Sequence, residues 1–143
     1  MDIAQMIAHR ASAEIVTCDI AMPMRAALAI LATRRIGAMP VIRGGEVAGI
    51  FSERDVIYCL ESHGEASLAK AVGEVMTAPA ITASPSMKVE EALELMTRRR
   101  IRHLPVVQNG ALCGFVSIGD LVKAQIDGLA YEAEAMRSYI QSA

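Results

Sequence analysis

Apolar side chains recur along this chain in two rhythms, and the rhythms change at matching places in its two halves. Over residues 24–34, Ala27, Leu28, Leu31 and Ala32 return at helical spacing. Over 89–99, Val89, Ala92, Leu93 and Met96 do the same, with Glu90, Glu91 and Glu94 on the wet side. Asp19 and Ser84 are candidate N-caps of these helices, the alternative being a start a few residues later; Pro85 follows Ser84 where a missing amide hydrogen costs little. The runs MPVI and LPVV then read as short strands starting at a proline, where the ladder loses no needed donor. RGG and QNG supply hairpin turns, and VAGIFS and LCGFVS return as the second strands. A second helix is expected over about 53–62 in one half and about 118–127 in the other.

Sliding the chain against itself by 65 residues shows why the rhythms match. Without gaps, Thr33 to Ile57 superposes on Arg98 to Val122 with 9 of 25 positions identical, among them Pro40/Pro105, Gly49/Gly114, Ser52/Ser117 and Asp55/Asp120. Extending back to Val16/Ile81 adds Thr17/Thr82, Met22/Met87, Ala27/Ala92 and Leu28/Leu93. The chain is two copies of one mixed α/β (α+β) unit, strand-helix-strand-strand-helix, with an expected pseudo two-fold axis between them. A unit of roughly 50 residues hides its own sheet poorly, so two copies packing together solve the burial problem. The expected division is 1–65 for the first copy with its N-terminal helix, 66–126 for the second, and 127–143 for a C-terminal helix or tail. Between the copies a linker holds a short helix ending near Met76. The opening MDIAQMIAHR, with Ile3, Met6 and Ile7 on one face, is expected to play the corresponding part for the first copy. In the tail, Ala130, Ala133, Met136 and Ile140 make an apolar stripe with nothing obvious to pack on inside one chain, which suggests a dimer contact.

Composition narrows the function. At 143 residues, 53% hydrophobic and 21% charged, the chain is about one domain's worth of ordered protein. Two Phe, three Tyr and no Trp leave few rings on which nucleic-acid bases could stack. The net charge of -2 divides evenly, seven basic against eight acidic residues on either side of the Lys70/Ala71 junction, so no footprint for nucleic acid or a membrane surface arises. The longest uncharged run, starting at Leu104 and ending before Asp120, contains Gln108, Asn109, Gly110 and Gly114 and is no membrane span, and the N-terminus does not read as a secretory signal. A cytoplasmic location is expected. Cys18, Cys59 and Cys113 form no CxxC pair, and with His9, His63 and His103 they make no recognisable zinc set; reduced, largely buried thiols are expected. Phosphate-binding glycine loops, HExxH and GxSxG are absent, so no catalytic residues are assigned and no enzyme activity is expected of the chain on its own.

What remains are the strings SERD and SIGD, which stand where a strand of each copy runs into a helix. Ser52 and Ser117 can cap amides, and Asp55 and Asp120 suit the positive helix end. The same groups can also serve a ligand, since free amides and a hydroxyl receive a phosphate and a carboxylate accepts from a ribose diol. Arg54 lies beside the first string. Arg34, Arg35, Arg99 and Arg100 read equally as solvated helix ends, whereas Arg102 and His103 open a strand and are the better candidates for phosphate or interface contacts.

With the repeat and the string RRIRHLPVVQNGALCGFVSIGDLVKA on the page, the chain resembles the cystathionine beta-synthase (CBS) domain, whose tandem pairs form a Bateman module. The resemblance runs over about 16–60 and 75–124 and includes VGEVMT. It implies a regulatory fold that binds adenosine-containing ligands such as AMP, ADP, ATP, S-adenosylmethionine or NAD in clefts between the copies, without a catalytic cofactor or metal. Carried over by position, it implies three sets of site residues. The first strands contribute around Val16, Thr17 and Cys18, and around Ile81, Thr82 and Ala83; the loops before the hairpins contribute Ile36, Gly37, Ala38 and Pro40, and Ile101, Arg102, His103 and Pro105. The hydroxyl and carboxylate fall on Ser52 with Asp55, flanked by Arg54, and on Ser117 with Asp120. A homodimer and an unidentified regulated protein are the implied partners. The alternative is a ligand-free dimerisation or scaffold protein. Because Arg54 has Gly119 as its counterpart, and Arg102 and His103 have Gly37 and Ala38, one cleft should be the better phosphate site.

Overall fold

The computed structural model describes residues 1–8 and 14–142; His9 and Arg10, at the end of the opening amphipathic segment, lie outside them, as does Ala143. After α1 (Ile3–Ala8), the first copy runs β1 (Cys18–Asp19), α2 (Met24–Arg34), β2 (Ala38–Arg43), β3 (Glu46–Ser52) and α3 (Glu53–His63). A short 3₁₀ turn (Glu65–Ala69) and α4 (Val72–Val75) lead into the second copy: α5 (Val89–Arg99), β4 (His103–Gln108), β5 (Ala111–Ser117) and α6 (Ile118–Ser142).

The hairpins obey the repeat closely. Pro40 pairs with Ile50 and Pro105 with Phe115, each hairpin shifts register one step further on, and each turn uses two residues of positive φ, Gly44 and Gly45 or Asn109 and Gly110. Such turns carry the twist that the flanking strands need. The prolines stand third in their strands rather than first. Pro105 is tolerated because its carbonyl accepts from Ala83 N–H, at 2.9 Å; its missing donor therefore faces that side and leaves the β4–β5 ladder intact. β1 pairs in parallel with β2, whereas the second copy's first strand shrinks to a single bridge, Ala83 to Val106.

Three expectations are corrected. The helices start later than Asp19 and Ser84: α2 begins after Pro23 and α5 after Lys88, neither with a side-chain cap. Asp19 instead accepts from Ala21 N–H (2.8 Å), closing a tight turn of its own, and Ser84 bonds to Ser86. The tail is not a separate helix: no proline stands between 118 and 142, and α6 continues through Gly128 for 25 residues. The opening helix serves the second copy. Ile3 and Met6 are buried with Ala92, Met96, Leu104, Val106 and Leu121, and Ile3 N–H donates to Met87 O. Reciprocally, Val72 of α4 is buried in the first copy's core with Met24, Leu31, Met39 and Phe51. Each small sheet thereby gains an apolar cover that its own unit is too short to supply.

Candidate functional site

The site begins with two helix starts. In α3, Ser52 Oγ accepts from Asp55 N–H (3.4 Å), while the Asp55 carboxylate accepts from Ser52 N–H at 2.8 Å and from Ser52 Oγ–H at 3.0 Å. In α6, Asp120 accepts from Ser117 N–H (2.7 Å) and its own amide donates to Ser117 Oγ (3.1 Å). These are reciprocal caps, so the structural reading of SERD and SIGD holds in full. The first amide of each helix is also taken: Glu53 N–H donates to Gly37 O, and Ile118 N–H to Arg102 O. Each copy's loop is thus pinned to its own helix start.

Those pinned loops face the other copy's cap, which produces two clefts between the copies. One, of about 400 Å³, gathers Ser52, Arg54, Asp55 and Tyr58 with Arg100, Ile101, Arg102 and His103, and is closed by Thr77, Pro79, Ala80 and Ile81. The other, of about 460 Å³, gathers Ser117 and Asp120 with Ile36, Gly37, Ala38 and His103, and is closed by Glu14, Ile15 and Val16. Gly37, Ala38 and His103 line both. The His103 ring stacks on Phe115, centroids 5.3 Å apart and planes 9° from parallel. Burial pushes its imidazole below the ordinary 6.5; Asp120 and Glu53 pull it back up, and Arg102 adds to the depression.

The clefts differ in charge. Arg54, Arg100 and Arg102 line the Ser52 cleft together with the acidic Glu53 and Asp55; among the described residues the Ser117 cleft has no arginine and holds Glu14 and Asp120. The Ser52 cleft also has an additional polar contact, the Thr77 hydroxyl donating to Asp55 Oδ1 at 2.8 Å. A carboxylate offers about four acceptor positions. Ser52 and Thr77 occupy three at Asp55, which leaves capacity for a further donor.

Several expected site residues lie elsewhere. Thr17 lines a shallower depression with Ala29, Ile30 and Arg34, and Thr82 is exposed outside both clefts. Val16 and Ile81, the residues just before them, line the clefts instead. Pro40 and Pro105 are buried in their sheets, two residues beyond Ala38 and His103, the last of their segments to line a cleft. Sequence reasoning missed Thr77, Tyr58 and Glu14, and left Arg100 undecided. Arg100 ends α5 in the left-handed region (φ 55°), and this turn swings the chain from helix to cleft loop. Three successive arginines before a strand were its available signal. Of the cysteines, only Cys18 is buried, pushed up to about 11 by burial and then by Asp19; Cys113 is exposed. Among the described residues no histidines, cysteines and carboxylates gather as metal ligands would, and no helix is long and apolar enough to cross a membrane.

Comparison with known families matches this chain to the CBS domain twice, over residues 5–62 and 72–127. The chain belongs to the CBS domain family. It is 40% identical over 111 residues to the mitochondrial CBS domain-containing protein CBSX3 of Arabidopsis thaliana, covering 74% of this chain and 54% of that one. The chain therefore spans about half the length of that relative. A crystal structure of a CBS-domain-containing protein from Agrobacterium tumefaciens superposes with a TM-score of 0.81 at 33% identity, over 87% of this chain and 99% of that one. The fold also matches CBSX2, solved in complex with AMP, with a TM-score of 0.68 at 24% identity, over 79% of this chain and 88% of that one. The tandem CBS pair and its mixed α+β architecture are thereby established, and CBS pairs are regulatory modules.

Proposed function

We propose that this CBS pair is a cytoplasmic, non-catalytic regulator that binds a phosphate-bearing adenosine nucleotide in the Ser52 cleft and signals through the arrangement of a homodimer or a regulated partner. One observation carries the reading: three arginines, Arg54, Arg100 and Arg102, line the same cleft as Ser52 and Asp55 at the start of α3. The capped helix start has its Glu53 and Asp55 amides in use, so the charge-assisted bonds that guanidinium groups make to phosphate carry the anion site. Asp55 keeps capacity for a ribose hydroxyl, and Ile50, Pro79, Ile81 and Ile101 form an apolar wall suited to the flat face of a base. The AMP bound by CBSX2, a protein of the same fold, supports this ligand class. The site residues carried by the proposal are Ser52, Arg54, Asp55, Thr77, Arg100, Arg102 and His103. The Ser117 cleft, which has no arginine among the described residues, is the lesser phosphate site in this reading.

Calorimetric titration of nucleotide-free protein with AMP, ADP and ATP tests this. The expected result is one strong site per chain, weakened about tenfold in Arg102→Ala through loss of a charge-assisted bond. No heat from any of them, with an intact fold, would leave the ligand-free scaffold as the better reading.

A further inference from the structure

Beyond the cleft, the largest unpartnered feature of the molecule is the distal part of α6. Its first turns are anchored, with Leu121 fully buried and Ala124 packed against the second core. From there Val122, Ile126, Leu129, Ala133, Met136 and Ile140 follow one another at steps of 4, 3, 4, 3 and 4 residues. Ile126, Leu129, Met136 and Ile140 are each 58–69% exposed. A strict alternation of 3 and 4 averages 3.5 residues per turn, the period of a seam between two supercoiled helices rather than of a helix lying on a sheet. The anchored start supplies the costly helical nucleus, so the distal turns need only a lateral partner.

The charges flanking the seam choose that partner and its direction. Lys123, Ala130 and Arg137 line one flank, and Gln125, Glu132 and Tyr139 the other. With two copies of α6 parallel and in register, Glu132 of each faces Arg137 of the other, five residues on, giving two opposite-charge pairs. With the copies antiparallel and the seam fully paired, Lys123 faces Arg137 and Glu132 faces Glu132, so every charged contact is between like charges. Within one chain Arg137 pairs with Glu134 at 3.6 Å, on the exposed surface.

We infer that α6 forms a parallel, in-register, two-stranded coiled coil with α6 of a second copy. This rests on the homodimer reading above and is independent of the ligand. The opposite placement, with α3 and its exposed Ile57 and Leu60 as the dimer face, makes a different prediction.

The test is the mass of the full-length chain by sedimentation velocity, together with cysteine cross-linking. Wild type is expected to be a dimer, Leu129→Glu a monomer, Glu132→Lys a weakened dimer, and Glu132→Lys with Arg137→Glu a restored one. Restoration shows that the single variant lost pairing rather than fold. Ile126→Cys and Met136→Cys, each alone, should form a disulfide-linked dimer under oxidation that wild type does not form, because parallel copies set each seam residue against itself. A monomeric wild type would overturn both this inference and the homodimer. A dimer that survives Leu129→Glu would overturn the inference and leave the homodimer standing on another face. Cross-linking only in a mixture of the two cysteine variants would overturn the parallel direction, since antiparallel copies set Ile126 against Met136.

Discussion

His103 stands where both clefts meet, and its chemistry is governed by what surrounds it. Burial holds the imidazole neutral below its ordinary 6.5, against the pull of Asp120 and Glu53. The unfolded chain accepts a proton that the folded chain resists, so stability rises with pH across that interval. This residue's contribution is complete above about pH 6.5 and is lost as the pH falls through that value toward the depressed folded pKa. Urea unfolding midpoints should therefore drop between about pH 7.5 and about pH 5.5, and the drop should be smaller in His103→Gln; an equal drop in both would assign the effect elsewhere. The cysteines separate in the same residue-level terms. Cys18 is buried with a thiol raised to about 11, whereas Cys113 is exposed. A thiol-specific reagent near pH 8 should label Cys113 in the native protein and reach Cys18 only on unfolding.

At the scale of elements, the hairpins, their turns and the two cap strings were legible because each depends on a local pattern repeated 65 residues apart. The helix starts were less so. Asp19 and Ser84 are good capping residues, yet a proline and a lysine occupy the cap positions of α2 and α5, because each segment first closes a turn after its short strand. The exchange of α1 and α4 between the cores was invisible to periodicity, which finds an apolar face and not the face that meets it. The packing of the linker shows how tight this exchange is. A Cβ on Gly49 would lie 2.7 Å from Thr77 O and from Met76 Sδ, and Ile50 and Thr77 exchange backbone hydrogen bonds beside it, both at 2.9 Å. Gly49→Ala should destabilise the fold by about 1–3 kcal/mol, since backbone must move to admit the methyl group. It should also weaken nucleotide binding by displacing Thr77 from Asp55. Loss of stability without loss of binding would disconnect the linker from the site. Ser117→Ala, by contrast, should cost about 1 kcal/mol as a lost cap and leave AMP affinity unchanged.

The whole molecule explains why half of the site could be read in advance. Sequence repeat places Ser52 with Asp55 and Ser117 with Asp120 at equivalent points, but only the packing of the two copies shows which loop faces which cap. That crossing puts Arg100 and Arg102 opposite Ser52, and Ile36, Gly37 and Ala38 opposite Ser117. The inequality of Arg54/Gly119 and Arg102/Gly37 in the sequence thus appears, among the described residues, as one cleft lined by three arginines and one lined by none. A ligand affects the arrangement of the copies only to the extent that it binds one arrangement better than another. Binding to the folded state alone also stabilises it, by about 2.7 kcal/mol at a hundredfold excess over Kd. The most direct measurement is a crystal structure of the protein grown with AMP. The charge distribution predicts the phosphate among Arg54, Arg100 and Arg102 at the start of α3, with the ribose at Asp55. AMP seated only beside Ser117 and Asp120, or absent from both clefts at saturating concentration, would contradict it.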